Sequence, residues 1–435
     1  MAVITPFRGI RYNPSVITDL ASVTAPPNDR LSEEETLKLS KKNEYNITRV
    51  GFSETSDSAK HPEIYQKGAK LLNEWMNSSV LIREEKPAIY IYEQKFLMNN
   101  NLQSFKGIIC LVKLEDYENR IILPHQKTSS KGYEHRHNLL DATKANISPI
   151  FSLYKDDDIS ISSLIVENSS RKPDVTFVSA EGITQNLWII DDEDFISNMQ
   201  EKFSDKQIFI ADGHHRYETN LKYRDEMRKT YPDKENQPYD YTMMALMPMF
   251  SSGLFVLPTH RLVKGVEYFD ENLLITSLTE DFKVSRIYFT DDNYEEVILG
   301  RISDVINEKY LGLYTGKDYY YLLKPGGQFK SSQEEYKPTS VFEGLEATIF
   351  NTLILEKYLG FSETQLENPN FVTYTRSAKE AIKEVQLQNF QCAFFLNSTK
   401  VDELLSVAEA GDMMPLKSTF FWPKTITGLV IYKFD

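Results

Sequence analysis

The run KQIFIADGHHRYETNLKYRDEMRKTY, residues 206–231, constrains the fold more than any other stretch of this 435-residue chain. An apolar segment of strand length ends at Asp212-Gly213 and passes into a helix-period segment with no loop between them. At about 100° per residue, Glu218, Lys222, Asp225, Glu226 and Lys229 share one arc, while Tyr217, Leu221, Tyr223 and Met227 lie on the other. That pattern predicts a half-buried helix. A buried strand feeding such a helix belongs to an architecture that packs helices on a sheet.

The first turn of this helix holds His214, His215 and Arg216. Helix N-termini carry partial positive charge and attract acids, so this trio runs against the usual preference unless an anion is bound. Backbone N–H groups, a glycine at 213 that allows close approach, and three cationic or hydrogen-bonding side chains make a cradle for phosphate or carboxylate. The bland alternative has Asp212 capping the helix, Gly213 making the turn and the histidines on the surface. It would serve for one histidine; for the five residues together the cradle is preferred.

Elsewhere strands and helices alternate. Ser32 with Glu35 is a capping-box spacing that starts a helix over 33–41, and HPEIYQKGAKLLNEWMNSS reads as a second helix. AIYIYEQKFLM and SFKGIICLVKLEDY form an antiparallel hairpin around NNNLQ. RIILP and SPIFSLY are strands on either side of a helix through YEHRHNLLDATKAN; TQNLWII is a strand and DDEDFISNMQEKFS a helix. YTMMALMPMF and GLFVLP are strands around SSG, and FEGLEATIFNTLILEKYLG is a long apolar helix. VDELLSVAEAGDMMP is a helix stopped by Gly411, and ITGLVIYKF a closing strand. The fold class is α+β, mixed α/β. The division falls near residue 265, with the Asp-Gly-His-His-Arg motif in residues 1–265 and a second α+β region over 266–435.

Against 49 Lys+Arg the chain carries 63 Asp+Glu, a net charge of −14, which argues against a polyanion such as nucleic acid as partner. Cys110 and Cys392 sit in apolar runs and read as core residues, too few for a disulfide framework or a four-thiolate zinc site. MAVITPFRGIRYNP has no long apolar segment of secretory type, and no run approaches a bilayer span, so a cytoplasmic protein without membrane partners is expected.

Further basic residues cluster at expected strand ends. LPHQKT presents His125, Gln126, Lys127 and Thr128; LPTHRLV presents Thr259, His260 and Arg261. Lys417, Ser418, Thr419 and Lys424 lie in the Pro-broken segment MMPLKSTFFWPKTITGL. Arg8 and Arg11 stand in an apolar N-terminal context, as an anion ligand or as an ion pair, and Asn28 and Asp29 follow a Pro-Pro turn. His135 and His137 are two residues apart on a helix, which points them to different faces and weakens a zinc site. Ligand sites gather at the carboxyl ends of strands in α/β folds, so one anion site assembled from these residues is expected.

PFRGIRYN, APPND, PHQKT, NISPIFSLY, IADGHHRYET, GLFVLPTHR and MMPLKSTFFWPK, in that order, resemble the prokaryotic family known as domain of unknown function 1015. Two positions depart from the pattern that resemblance implies: Asn28 in place of Tyr, and Gln126 in place of Glu. The Asp-Gly-His-His-Arg element is similar to the phosphate-handling motif of the ParB/sulfiredoxin-like superfamily, which includes free-serine kinases. The resemblance implies a ParB/sulfiredoxin-like phosphate-binding core and a link to serine metabolism. It implies phosphoryl transfer or phosphate-ester hydrolysis on a small metabolite, phosphoserine or serine among them. In that scheme Asp212, His214, His215 and His125 are catalytic, and Asp212 holds magnesium. Gly213, Arg216, Lys127, His260, Arg261, Lys417, Ser418 and Arg8 bind the anion, and His260 is a second acid–base candidate. A nucleotide is a further expected ligand. The competing reading is a non-catalytic nucleotide or metabolite sensor of partition type. A basic helix-turn-helix domain, which a DNA-binding member of that type needs, is not evident in the sequence.

Overall fold

The computed structural model describes all residues except 28–30, 52–62, 127–132, 233, 235, 290–292, 304–308, 327–328, 332–333, 337–341, 367, 416 and 435. The chain forms two units, one of residues 1–124, 128–255 and 423–435, the other of 125–127 and 256–422. Both are discontinuous, whereas a boundary at 265 keeps each region continuous.

The first unit is built on a mixed sheet of nine strands: β1 (Ile4–Thr5), β2 (Ile89–Met98), β3 (Asn101–Lys113), β4 (Ile122–Leu123), β5 (Ile150–Tyr154), β6 (Val175–Val178), β7 (Thr184–Ile190), β8 (Ile208–Asp212) and β9 (Tyr241–Pro248). Their order is β4-β8-β5-β9-β3-β2-β7-β6, with β1 added on β3. β2 and β3 are the expected hairpin, turned at Asn99 and Asn100, whose positive φ values asparagine tolerates. Alternation assigns the two faces. Ile89, Ile91, Ile108, Cys110, Trp188, Ile208, Ile210 and Met244 point to one face, and Tyr90, Tyr92, Ile109, Leu111, Leu187 and Met243 to the other.

The first face is closed by a helix α1 (Glu193–Phe203), which presents Phe195, Met199 and Phe203 at four-residue intervals. Burying each of these side chains contributes roughly 1.5–3 kcal/mol. Asp192 starts that helix by accepting from the Phe195 N–H at 2.8 Å. The second face is covered by Ile426, Leu429, Val430 and Tyr432 from the last stretch of the chain. That stretch is not the continuous closing strand expected from ITGLVIYKF. Only Tyr432–Lys433 is strand, paired with Ala145–Asn146, while Thr427 and Ile431 make single bridges to Ala25 and Ile10. Gly428, at φ +83°, interrupts the extended path.

Helix α2 (His214–Thr230) follows β8 as expected, but its buried side is more polar than its periodicity indicates. His214, Thr219, Asn220 and Arg224 are buried beside Tyr217 and Tyr223, whereas Leu221 is only partly covered. Hydrogen bonds make this tolerable. Asn220 donates to the Arg216 carbonyl and accepts from Asn146 at 3.1 Å, and Arg224 donates to the Leu114 carbonyl and to Asp116.

In the second unit six strands form one sheet: β10 (His260–Val263), β11 (Phe282–Tyr288), β12 (Leu311–Tyr314), β13 (Tyr319–Pro325), β14 (Val372–Thr375) and β15 (Cys392–Phe395), ordered β11-β13-β12-β15-β10-β14. The expected long apolar helix is α-helical over Glu346–Ile349 and π-helical over Phe350–Tyr358. Helix Val401–Ala410 ends at Gly411, whose φ of +81° is the left-handed stop expected there. Cys110 and Cys392 are both buried core residues. Among the described residues no helix is long and apolar enough to cross a membrane.

Candidate functional site

β8 runs antiparallel to β5, and its register shifts between Ile210 and Asp212, so that Asp212 lies opposite Phe151. Such an irregularity re-aims the side chain at a strand end. The Asp212 carboxylate accepts from Lys424 Nζ at 2.7 Å, with the two side chains 16% and 7% exposed. Burial alone would raise the Asp212 pKa. The Lys424 ammonium beside it outweighs burial, with Arg216 and His214 acting in the same sense, and holds the carboxyl well below the ordinary range. Asp212 is therefore ionised at any physiological pH. It does not cap the helix: Gly213 occupies the cap position, without a side-chain cap bond.

Gly213 sits at φ +99°, and a Cβ there would lie 3.0 Å from the Arg216 guanidinium. The glycine thus serves both the left-handed turn and the close passage of Arg216. Arg216 Nη1 donates to Ser148 Oγ at 3.1 Å and to the Pro149 carbonyl. Ser148 Oγ in turn lies 3.0 Å from Thr427 Oγ1. Lys424 is fixed through its carbonyl, which accepts from buried Gln94 Nε2 at 2.9 Å, and the Gly428 N–H donates to the Ile147 carbonyl at 3.0 Å. Three distant segments, 146–149, 212–216 and 424–428, are tied together at the N-terminus of α2. His214 is buried in this turn; His215 is partly exposed, and its carbonyl accepts from Thr219 at 2.7 Å.

The Asp212 carboxylate meets the ammonium of Lys424 and the guanidinium of Arg216 at a helix end that itself favours anions. A small recess lined by Thr24, Pro26, Ser179, Glu181 and Gln185 lies on one side of Lys424. Asp212 is already bonded to an ammonium, and among the described residues no group of three or more His, Cys, Asp or Glu could hold a metal ion, so these residues do not form a resident magnesium cage.

Of the other expected site residues, Arg8 also lies in the first unit, exposed, with its Nε donating to the Glu84 carbonyl at 2.8 Å. Arg11 forms the ion pair of that segment, with Glu84. His135 meets Tyr65 and His137 meets Glu226, so the two do not converge. His125, His260, Arg261, Lys417 and Ser418 belong to the second unit. His125 is buried just beyond β4, 3.0 Å from Thr419 Oγ1 and edge-on to Phe421. His260 opens β10 rather than ending a strand; it is buried against Phe395, and burial, helped by Arg261, lowers its pKa to about 4. Ser418 Oγ is used within its own turn, donating to the Pro415 carbonyl at 2.6 Å. Lys127, Thr128, Asn28 and Asp29 lie outside the described residues. Lys424, grouped in sequence with Lys417, is separated from it by the unit division and joins Asp212 instead. Its one sequence signal is a lysine that directly follows Phe420, Phe421, Trp422 and Pro423, unlike a solvated surface lysine.

A family model described as protein of unknown function, DUF1015, matches residues 4–348. Solved structures with a partial likeness to the chain include a free serine kinase variant in complex with AMP, 13% identical with a TM-score of 0.36, over 72% of this chain and 87% of that one. A conserved hypothetical protein from Pyrococcus furiosus is 13% identical with a TM-score of 0.35, over 73% of this chain and 92% of that one. C-terminally truncated SbnI from Staphylococcus aureus is 10% identical with a TM-score of 0.34, over 73% and 85%. No curated protein matches the chain.

Proposed function

The chain belongs to the DUF1015 family, whose description names no activity, and from the geometry at Asp212 we propose that it is a phosphotransferase or phosphatase acting on a small phosphorylated metabolite. The observation that carries this reading is the N-terminus of α2, where Lys424 and Arg216 converge on Asp212 beside the first-turn N–H groups. A phosphoryl group is the kind of ligand that a helix N-terminus with two cations beside it attracts. Phosphoryl transfer asks chiefly for positioning and charge stabilisation, which a helix N-terminus, a fixed guanidinium and an ammonium provide.

In this scheme the first-turn N–H groups and Arg216 hold the phosphoryl oxygens, and His215, the more exposed of the two histidines, faces the leaving or attacking oxygen as acid or base. Asp212 keeps Lys424 aimed at the turn through their hydrogen bond. Phosphoserine and serine are the substrates favoured by the likeness of the Asp-Gly-His-His-Arg turn to the ParB/sulfiredoxin-like motif, with a nucleotide as the phosphoryl source where the reaction is a transfer. Because Asp212 alone makes no resident magnesium site, no step is assigned to a metal.

The test is phosphate release and nucleotide consumption across a panel of phosphorylated metabolites, phosphoserine included, in wild type, His215→Ala and Arg216→Ala. Turnover that falls at least a hundredfold in both variants supports the proposal. Nucleotide binding without any turnover, lost in His215→Ala, replaces it with a sensor. Turnover indifferent to both substitutions moves the chemistry elsewhere.

A further inference from the structure

Arg261 leads the largest fully buried side chains of the described residues, only 2% exposed. It lies on β10, where alternation sends His260 towards Phe395 on one face and Arg261 towards Phe350 on the other. The Phe350 and Tyr374 rings lie 5.4 and 5.7 Å from its Cζ. Nη1 donates to the Thr259 carbonyl. Nε and Nη2, both buried, have no hydrogen-bond partner among the described residues.

Those two nitrogens form one edge of the guanidinium, the edge that receives two oxygens of a carboxylate or phosphoryl group side by side. The described residues do not fill that edge. Among the described residues no carboxylate makes an ion pair with Arg261. Glu346 acts on it only at a distance, because its two oxygens accept from the Asn397 N–H and Nδ2 at 2.8 and 3.0 Å. A second cation, Lys417 Nζ, lies 4.8 Å from the centre of the same Tyr374 ring. Burial lowers the Arg261 pKa to about 10, with Tyr374 and Glu346 opposing the fall, so the group stays charged at neutral pH. A buried guanidinium with two donors unmet is strongly unfavourable, and a bound anion removes that penalty.

We propose that Arg261 anchors an oxyanion site within the second unit, its Nε and Nη2 taking two oxygens of a phosphoryl or carboxylate group beside Tyr374 and Lys417. The site uses no residue of the Asp212 turn and does not depend on the function proposed for it. Because the edge is shielded from solvent, the anion enters as the side chains over it shift, and association is slow.

The intact chain is titrated calorimetrically with inorganic phosphate, and separately with acetate, in low-chloride buffer. Each titration is repeated for Arg261→Lys, Arg261→Met and Arg216→Ala. Lysine keeps the charge but loses the two-pronged edge; methionine keeps the stem and removes the charge. Expected are saturable binding of phosphate or acetate in wild type, at least tenfold weaker binding to the same site in Arg261→Lys, and retention of that site in Arg216→Ala. Binding of phosphate alone assigns a phosphoryl ligand, and binding of both assigns oxyanions generally. The proposal is overturned if neither anion binds, or if every binding event survives both Arg261 substitutions. Should Arg261→Met not fold, Arg261→Lys alone decides. A stability comparison in anion-free buffer is an independent check: Arg261→Met should unfold at no lower denaturant concentration than wild type. A clear loss there shows that the protein already satisfies the guanidinium, and overturns the site.

Discussion

Asp212 gives up its proton far more readily in the folded chain than a free aspartate does, because Lys424 and Arg216 overcome its burial. Folding and protonation are therefore linked. The folded pKa lies below the unfolded value of about 3.9, so the stabilisation is complete above that value and is lost as the pH falls through the folded one. Asp212→Asn should remove this acid-side loss, seen as a flatter dependence of urea midpoint on pH below about 4. Lys424→Met leaves the carboxylate enclosed without its ammonium, which costs about 3 kcal/mol in urea unfolding at neutral pH. His260 shows the opposite chemistry in the second unit. Its pKa falls from 6.5 to about 4 through burial and Arg261, so between those values the unfolded chain takes up a proton that the folded chain refuses. Stability accordingly falls as the pH drops from 6.5 to 4, by up to about 3 kcal/mol at 1.36 kcal/mol per unit. His260→Gln should flatten that slope in a pH series of denaturant titrations, and an unchanged slope would show that another group titrates there.

The strand–turn–helix element around Gly213 was the most legible part of the molecule, and the reason is local. A run of apolar residues of strand length, a glycine and a helical period all lie within one continuous stretch, so β8, the turn and α2 follow without tertiary information. The same holds for the β2–β3 hairpin and for Gly411 as a helix stop. What the sequence hid depends on distant partners. Arg224 and Asn220 look like solvent-facing residues of α2, but they are buried on the Leu114 carbonyl and on Asn146, over a hundred and over seventy residues away by position in the chain. Lys424 reaches Asp212 across 212 positions, a pairing that periodicity and spacing cannot signal. LPTHRLV reads as a strand ending at His260, whereas His260 opens β10, because an apolar run before a polar trio looks the same whether a strand stops or starts there. The Gly213 turn is testable at its own scale. Gly213→Ala places a Cβ at φ +99° and 3.0 Å from the Arg216 guanidinium, so both strain and displacement follow. A loss of about 1–2 kcal/mol in thermal or urea unfolding is expected from the left-handed backbone alone. Anion affinity should fall further than that loss of stability explains, since Arg216 must move.

Across the whole molecule, the last thirteen residues do more than their length suggests, because the chain leaves the second unit at Trp422 and finishes inside the first. Ile426, Leu429, Val430 and Tyr432 cover the sheet face made by Tyr90, Tyr92, Leu111 and Met243, while Lys424 enters the turn at Asp212. Removing residues 423–435 therefore takes away an apolar cover, the bridges to Ala25 and Ile10, the Tyr432–Asn146 pairing and the counter-charge of Asp212 at once. Each buried side chain of that cover contributes roughly 1.5–3 kcal/mol, so four of them alone approach the whole stability of an ordinary domain. The second unit keeps its own sheet and its own cores, formed by Val263, Leu313, Phe350 and Phe394 on one face and Leu262, Tyr320 and Phe395 on the other. A chain ending at residue 422 should thus lose amide hydrogen-exchange protection along β2, β3 and β8, while β10, β12 and β15 retain theirs. Equal loss in both sheets would mean that the two units fold as one cooperative body. Unchanged protection in the first sheet would mean that the final segment is a surface strap and that Lys424 contributes little to holding the Asp212 turn.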